Sequence, residues 1–273
     1  MRCTLPFVRC SKVLVTTAMS STVPQRNPAT DLALGVVRLL VAAAIVFAVE
    51  GVFEANRLLA FAVGALAVDL LGGRAGVKWD ETGSRPYKAQ AMMMLRGVGG
   101  GAVAVILVVS VLAALGKATI GAGHPASVSL LMGAAVALVQ AARDELLFRG
   151  MPLALMRGRV ADRWALPFVS LLAAAPVILA ANTTAVGVSL VLVSSFVFAL
   201  LWRLGRGIHL AWGAHAAWLF LAGSGVRGGL ADVRLVEGQV LPLFSAFGSP
   251  GWIALGVGGV AAGVSLWRVR RAA

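Results

Sequence analysis

Acidic residues are scarce in this chain. Eleven Asp and Glu stand against 24 Lys and Arg in 273 residues, and charged residues of both signs make up only 13%. That is about half the share found in ordinary soluble domains. Hydrophobic residues make up 59%, and the mean hydropathy is +0.90. A soluble globular domain is excluded, and a polytopic membrane protein is the reading left. Cysteine is nearly absent as well. Cys3 and Cys10 are the only two, their spacing matches no zinc pattern, and in a reducing cytoplasm they build no disulfide framework. There is one tyrosine and no basic-aromatic stripe, so the net charge of +13 does not read as a nucleic-acid surface. No internal repeat is visible, which removes the usual support for an inverted-repeat transporter.

What is present is a series of apolar runs punctuated by basic loops. Eight runs read as membrane helices: Leu32 to Val49, Leu58 to Leu71, Ala91 to Leu115, Ser127 to Phe148, Leu166 to Ala180, Val186 to Trp202, Ile208 to Leu221 and Trp252 to Trp267. Several fall short of the ~20 residues of a full crossing. The cations favour one orientation. With both termini cytoplasmic, the inner segments (2–26, 74–88, 149–163, 203–206 and 268–271) hold 17 of the 24 basic residues. Arg57, Lys117, Arg227 and Arg234 lie outside, and Arg38, Arg96 and Arg143 fall within spans. That asymmetry is the positive-inside pattern. The fold expected is therefore all-α: a polytopic membrane helix bundle of about eight transmembrane helices in the cytoplasmic membrane. Residues 31–273 form the bundle. Residues 1–30 read as a disordered cytoplasmic tail, or in part as sequence ahead of a start at Met19, since the run at Lys12 to Met19 is too short and too weakly apolar for a signal sequence. Gly116 to Ala126 and residues 222–250 read as loops.

The chemistry concentrates at the end of the fourth run. Arg143, Asp144, Glu145 and Arg149 close an apolar stretch, where each ionised group carries a solvation cost. Glu145 and Arg149 are four apart, so one helical face carries both and they can pair. A snorkelling salt-bridge cluster is the plain alternative. A second feature is His215, about eight residues into the seventh run. His209 is six residues earlier and faces another direction, so the two do not make the i, i+4 metal pair of HExxH. The glycines and Ala104 of the third run, Gly97-Val98-Gly99-Gly100-Gly101, permit close helix approach.

Asp144-Glu145-Leu146-Leu147-Phe148-Arg149-Gly150 resembles the EExxxR motif of the CPBP intramembrane metalloproteases, the type II CAAX prenyl endopeptidase and bacteriocin-processing family. Phe198 to Trp202 stands where that family's FxxxH belongs, and His215 to Leu219 where HxxxN belongs. The likeness covers about residues 90–222. It implies a zinc endopeptidase open to the cytoplasmic face, with Asp144 and His215 at the metal and Glu145 and Arg149 supporting it. Metal-activated water would attack a peptide carbonyl with a carboxylate as base. Two positions depart: Trp202 replaces a histidine and Leu219 an asparagine. A catalytic zinc normally has three protein ligands, so His209 is a possible substitute. Three functions follow: a zinc-dependent endopeptidase acting on an unknown protein or peptide, a non-catalytic relative that binds or scaffolds, and a small transporter.

Overall fold

The fold is given by a computed structural model, which describes residues 28–124, 126–179, 185–235 and 249–272. Among the described residues there are nine α-helices: α1 (Pro28–Val52), α2 (Arg57–Arg74), α3 (Tyr87–Ala114), α4 (Ser127–Glu145), α5 (Met151–Met156), α6 (Asp162–Leu179), α7 (Ala185–Gly205), α8 (Ile208–Phe220) and α9 (Ser249–Ala272). The N-terminal tail, with Cys3 and Cys10, lies outside the described residues.

Every apolar run of the sequence is helical in its described part. Among the described residues four helices are long and apolar enough to cross a membrane: Ala29–Val52, Tyr87–Ala114, Asp162–Leu179 and Gly187–Gly205. Of the other five, two fall short for visible reasons. α4 carries Arg143, Asp144 and Glu145, and α8 has only 13 residues. Large apolar side chains such as Leu40, Leu66, Leu95, Ile106 and Phe168 are exposed on the flanks. An aqueous surface does not sustain apolar exposure on this scale, whereas lipid does. The protein is a membrane helix bundle.

Two stretches expected to be loops contain a small sheet. β1 (Ala118–Ala122) pairs antiparallel with β2 (Ala231–Leu235), from Ala118 opposite Leu235 to Ala122 opposite Ala231. The pairing was invisible in the sequence because each strand is five residues long and the partners are more than a hundred apart. Short strands with so long a closure leave no local signature.

α3 and α8 pack backbone to backbone. A Cβ on Gly97 would overlap the Leu210 carbonyl, and one on Gly101 the Ala214 carbonyl. In return, Gly213 of α8 lies against the Met94 carbonyl. Small residues four apart on α3 thus let α8 come close enough for dispersion contacts to hold it without a hydrophobic drive from lipid. Gly99 and Gly100 have no such neighbour.

The loop before α3 fixes where α8 starts. The Ile208 amide donates to the Trp79 carbonyl (3.0 Å), the Glu81 amide to Arg206 (3.0 Å), and Arg85 Nη1 to the Gly205 carbonyl (2.8 Å). Gly207 has φ +147° and lies against the Trp79 carbonyl, so only glycine fits. Asp80 holds the loop itself, accepting from the Thr82 hydroxyl (2.8 Å), the Thr82 amide (3.1 Å) and the Arg85 amide (3.0 Å). Burial alone would raise the Asp80 carboxyl. The Thr82 hydroxyl, the two amides and the Arg85 charge outweigh it and hold Asp80 below its ordinary value of 3.8.

Two outcomes follow from this packing. Gly101→Leu drives α8 off α3 and costs about 1–3 kcal/mol, read as a lower unfolding midpoint in detergent, while Gly100→Ala leaves the midpoint unchanged. A depressed carboxyl stabilises the fold fully above its unfolded value and loses that contribution as pH falls through the folded one. Stability therefore declines on the acid side of the ordinary carboxylate range, and in Asp80→Asn that part of the pH slope disappears.

Candidate functional site

The last turn of α4 runs into a π-helical turn, Leu146–Gly150, before α5 begins. Such wide turns within helices recur at functional sites. Leu146 and Leu147 anchor it by entering the main apolar core. Gly150 is closely packed: a Cβ there would sit 3.0 Å from the Trp202 ring and 3.1 Å from Val77, so either side chain would have to yield by a few tenths of an ångström.

Within this turn sits a buried charge cluster. Glu145 is 0% exposed and Arg149 2%. Glu145 Oε1 accepts from Arg149 Nη1 at 2.6 Å and lies 2.8 Å from His215 Nδ1. With the carboxylate as acceptor, Nδ1 carries the proton and Nε2 remains the basic nitrogen of a ring that borders the cavity. Arg149 Nη2 donates to Ser195 Oγ (3.0 Å). Phe198 stacks on the His215 ring, with centroids 4.5 Å apart, and the Arg149 guanidinium lies 5.2 Å from the same phenyl ring. The imidazole is therefore fixed on its face by an aromatic ring and on its edge by a carboxylate. Glu145 Oε2 is buried with no hydrogen-bond partner among the described residues.

Asp144 is placed differently. It borders a cavity of about 370 Å³, which Glu145 does not line. Arg143 Nε donates to Asp144 Oδ1 at 2.9 Å, and Nη2 lies 2.7 Å from the same oxygen. Arg143 also pairs with Glu50 of α1 and lies over the Phe61 ring of α2 at 4.6 Å. Around the cavity stand Asp144, Arg149 and His215 with Ser195 and Gln140, and α6 contributes Ala173, Pro176 and Val177.

The sequence-derived site is partly assembled. Asp144, Arg149 and His215 border one cavity, and Glu145 binds Arg149 and His215 from behind it. Leu219 lines it too, with no polar atom. Trp202 stands away from the cavity. The resemblance puts it at a metal ligand's position, but its side chain enters the apolar core, and its Nε1 donates to Glu81 Oε1 at 3.3 Å, away from the cavity. The helix register explains this: Phe198 reaches the cavity, and one turn later the same face of α7 has passed over Gly150. His209 is also displaced. It is buried beside Trp79, with ring centroids 6.5 Å apart, and does not border the cavity. It cannot replace the missing ligand.

Glu50 and Ser195 are site residues that sequence reasoning overlooked. Ser195 lies three before Phe198, hence on the same helical face, and that spacing could have found it. Glu50 carried only the weak signal of a charge at a span's end.

Among the described residues no three His, Cys, Asp or Glu side chains come together to hold a metal ion. Asp144 Oδ1 and Glu145 Oε1 already bind arginines, and α6 and Leu219 offer no ligand.

The two carboxylates should respond differently to mutation. Glu145→Ala strands the buried Arg149 and costs about 3–5 kcal/mol, whereas Asp144→Ala leaves Arg143 paired to Glu50 and costs distinctly less. Unfolding midpoints in detergent measure the difference.

No curated protein and no solved structure matches this chain. A family model does match it, that of the type II CAAX prenyl endopeptidase Rce1-like family, over residues 125–221. The matched segment takes in the π turn, the cavity-facing parts of α6 and α7, and α8 with His215. Over that segment, about a third of its length, the chain is similar to the type II CAAX prenyl endopeptidase Rce1-like family.

Proposed function

We propose that this membrane CAAX-protease-like protein binds a segment of a membrane-associated polypeptide in the 370 Å³ cavity and does not hydrolyse it. One observation carries this reading. The cavity retains the family's polar corner, Asp144, Arg149 and His215, but faces it with Ala173, Pro176, Val177 and Leu219. A corner of charge with apolar walls orients and binds a chain, while a metal-activated water needs a third ligand that those walls lack. The volume lies within the ~300–1,000 Å³ range of ligand pockets. In this reading Arg149 and His215 supply donor and acceptor groups to a peptide backbone, and Glu145 holds both in place. Val46, Phe47 and Phe148 take apolar side chains.

A second reading, a zinc-dependent endopeptidase with a variant site, is favoured by one feature. His215 is held at Nδ1 by Glu145 and leaves Nε2 free to act, the arrangement in which a metal-binding histidine is usually held. Here Asp144 and His215 would be the metal-side residues.

Metal analysis separates the two. Purified natural protein is expected to carry far less than one zinc per chain and to leave membrane peptides uncleaved. Near-stoichiometric zinc, lost together with proteolysis in Asp144→Ala and His215→Ala, would establish the endopeptidase instead. A gain of function gives a positive control: Val177→His with Leu219→Asn creates zinc binding, whereas Trp202→His with Leu219→Asn does not, because Trp202 lies outside the cavity.

A further inference from the structure

A second and larger cavity, about 700 Å³, opens at the other end of α4. Its wall comes from the start of α2, the first turns of α4, the end of α8 and the π turn Leu221–Gly225 that follows it. Gln140 and Leu219 border both cavities, so this one continues the first toward the opposite end of the bundle.

The two cavities differ in how their cations are paired. At the first, both arginines have carboxylate partners, Arg143 with Glu50 and Asp144, and Arg149 with Glu145. The second is lined by Arg57, Arg227 and His124 and, among the described residues, by no carboxylate. Neither arginine is ion-paired with a described residue. Arg57 is moreover the first residue of α2, where the positive end of the helix dipole disfavours a cation unless an anion lies nearby.

The arrangement is built by the backbone. The β1–β2 sheet brings the end of one strand to the start of the other. The His124 amide donates to the Gly228 carbonyl at 2.8 Å, and Arg227 bridges to Asp232 through its main chain. Gly229 lies against the Ser224 carbonyl and Gly133 against the Ser224 side chain, so the wall closes only with glycine at both positions. Residues 124 and 227 are thus held on one side of this space, and Arg57 borders it from the start of α2.

We propose that this cavity is an anion site that takes a phosphate group, presented by the head group of an anionic phospholipid. A guanidinium fork matches phosphate oxygens in bidentate fashion. The ends of apolar membrane helices are where lipid head groups lie. Unpaired cations there meet phosphodiesters at a higher local density than any other anion. The site stands apart from the polypeptide-binding reading and shares no charged residue with it.

The test uses the full chain, delipidated in a neutral detergent. Short-chain phosphatidylglycerol, short-chain phosphatidylcholine and inorganic phosphate are titrated separately. The thermal midpoint is followed, and bound lipid is counted by native mass spectrometry. Phosphatidylglycerol is expected to raise the midpoint saturably with one lipid retained, while phosphatidylcholine does little. Arg57→Gln combined with Arg227→Gln weakens the effect about tenfold or more. Lys117→Gln with Arg234→Gln, cations at the same end but off the cavity, leaves it unchanged. Arg57→Lys with Arg227→Lys keeps the charge without the fork; it should fold normally and bind with intermediate affinity. Equal stabilisation by phosphatidylcholine, an undiminished shift in the double Gln variant, or no shift at all would overturn the proposal. Inorganic phosphate acting as strongly as the lipid would overturn its lipid assignment.

Discussion

One buried carboxylate organises this half of the molecule. Glu145 is sealed from solvent, and a single oxygen serves both Arg149 and His215. A charge so placed is stable only while its partners stay in register. Arg149 arrives through the π turn, and His215 arrives because α8 lies close on α3. The glycines at the α3–α8 contact, the Trp79–Ile208 hydrogen bond and the stacked Phe198 all set the position of that imidazole. Relax one of them and the charge at Glu145 loses a partner in a low-dielectric interior.

The same constraint divides the labour of the two adjacent acids. One residue of helix turns a side chain by about 100°. Glu145 therefore faces the bundle interior, while Asp144 faces the cavity and is neutralised by Arg143. The chain keeps a rigid, charged corner and surrounds it with apolar groups. That corner costs solvation energy, and the membrane helices around it offer no water in exchange, so its retention points to a ligand. Among the described residues Arg57 and Arg227, at the far end of α4, have no ion-pair partner, whereas Arg143 and Arg149 at the near end are paired.

Much of the fold was legible in the chain because hydrophobic length is a local property. Runs such as Ala91 to Leu115 needed no partner to be recognised as helices, and the Glu145–Arg149 pair followed from helical spacing alone. The β1–β2 sheet did not, since neither strand has meaning without the other. The role of Gly97 and Gly101 was partly visible as a small-residue run. Which of its glycines touch α8 depended on the angle between two helices.

The order of residues by itself determined that this is a membrane helix bundle and that its charge gathers at Asp144, Glu145 and Arg149. These are matters of composition, spacing and helical period. Only the tertiary structure decided which residues meet. It sent Trp202 into the core against Gly150, kept His209 beside Trp79, brought Ser195 and Glu50 to the site, and faced the polar corner with Ala173, Pro176 and Val177. The physical reason is that a cavity is made by the relative placement of several helices. The position of each along and around its axis is set by long-range packing that no single segment encodes.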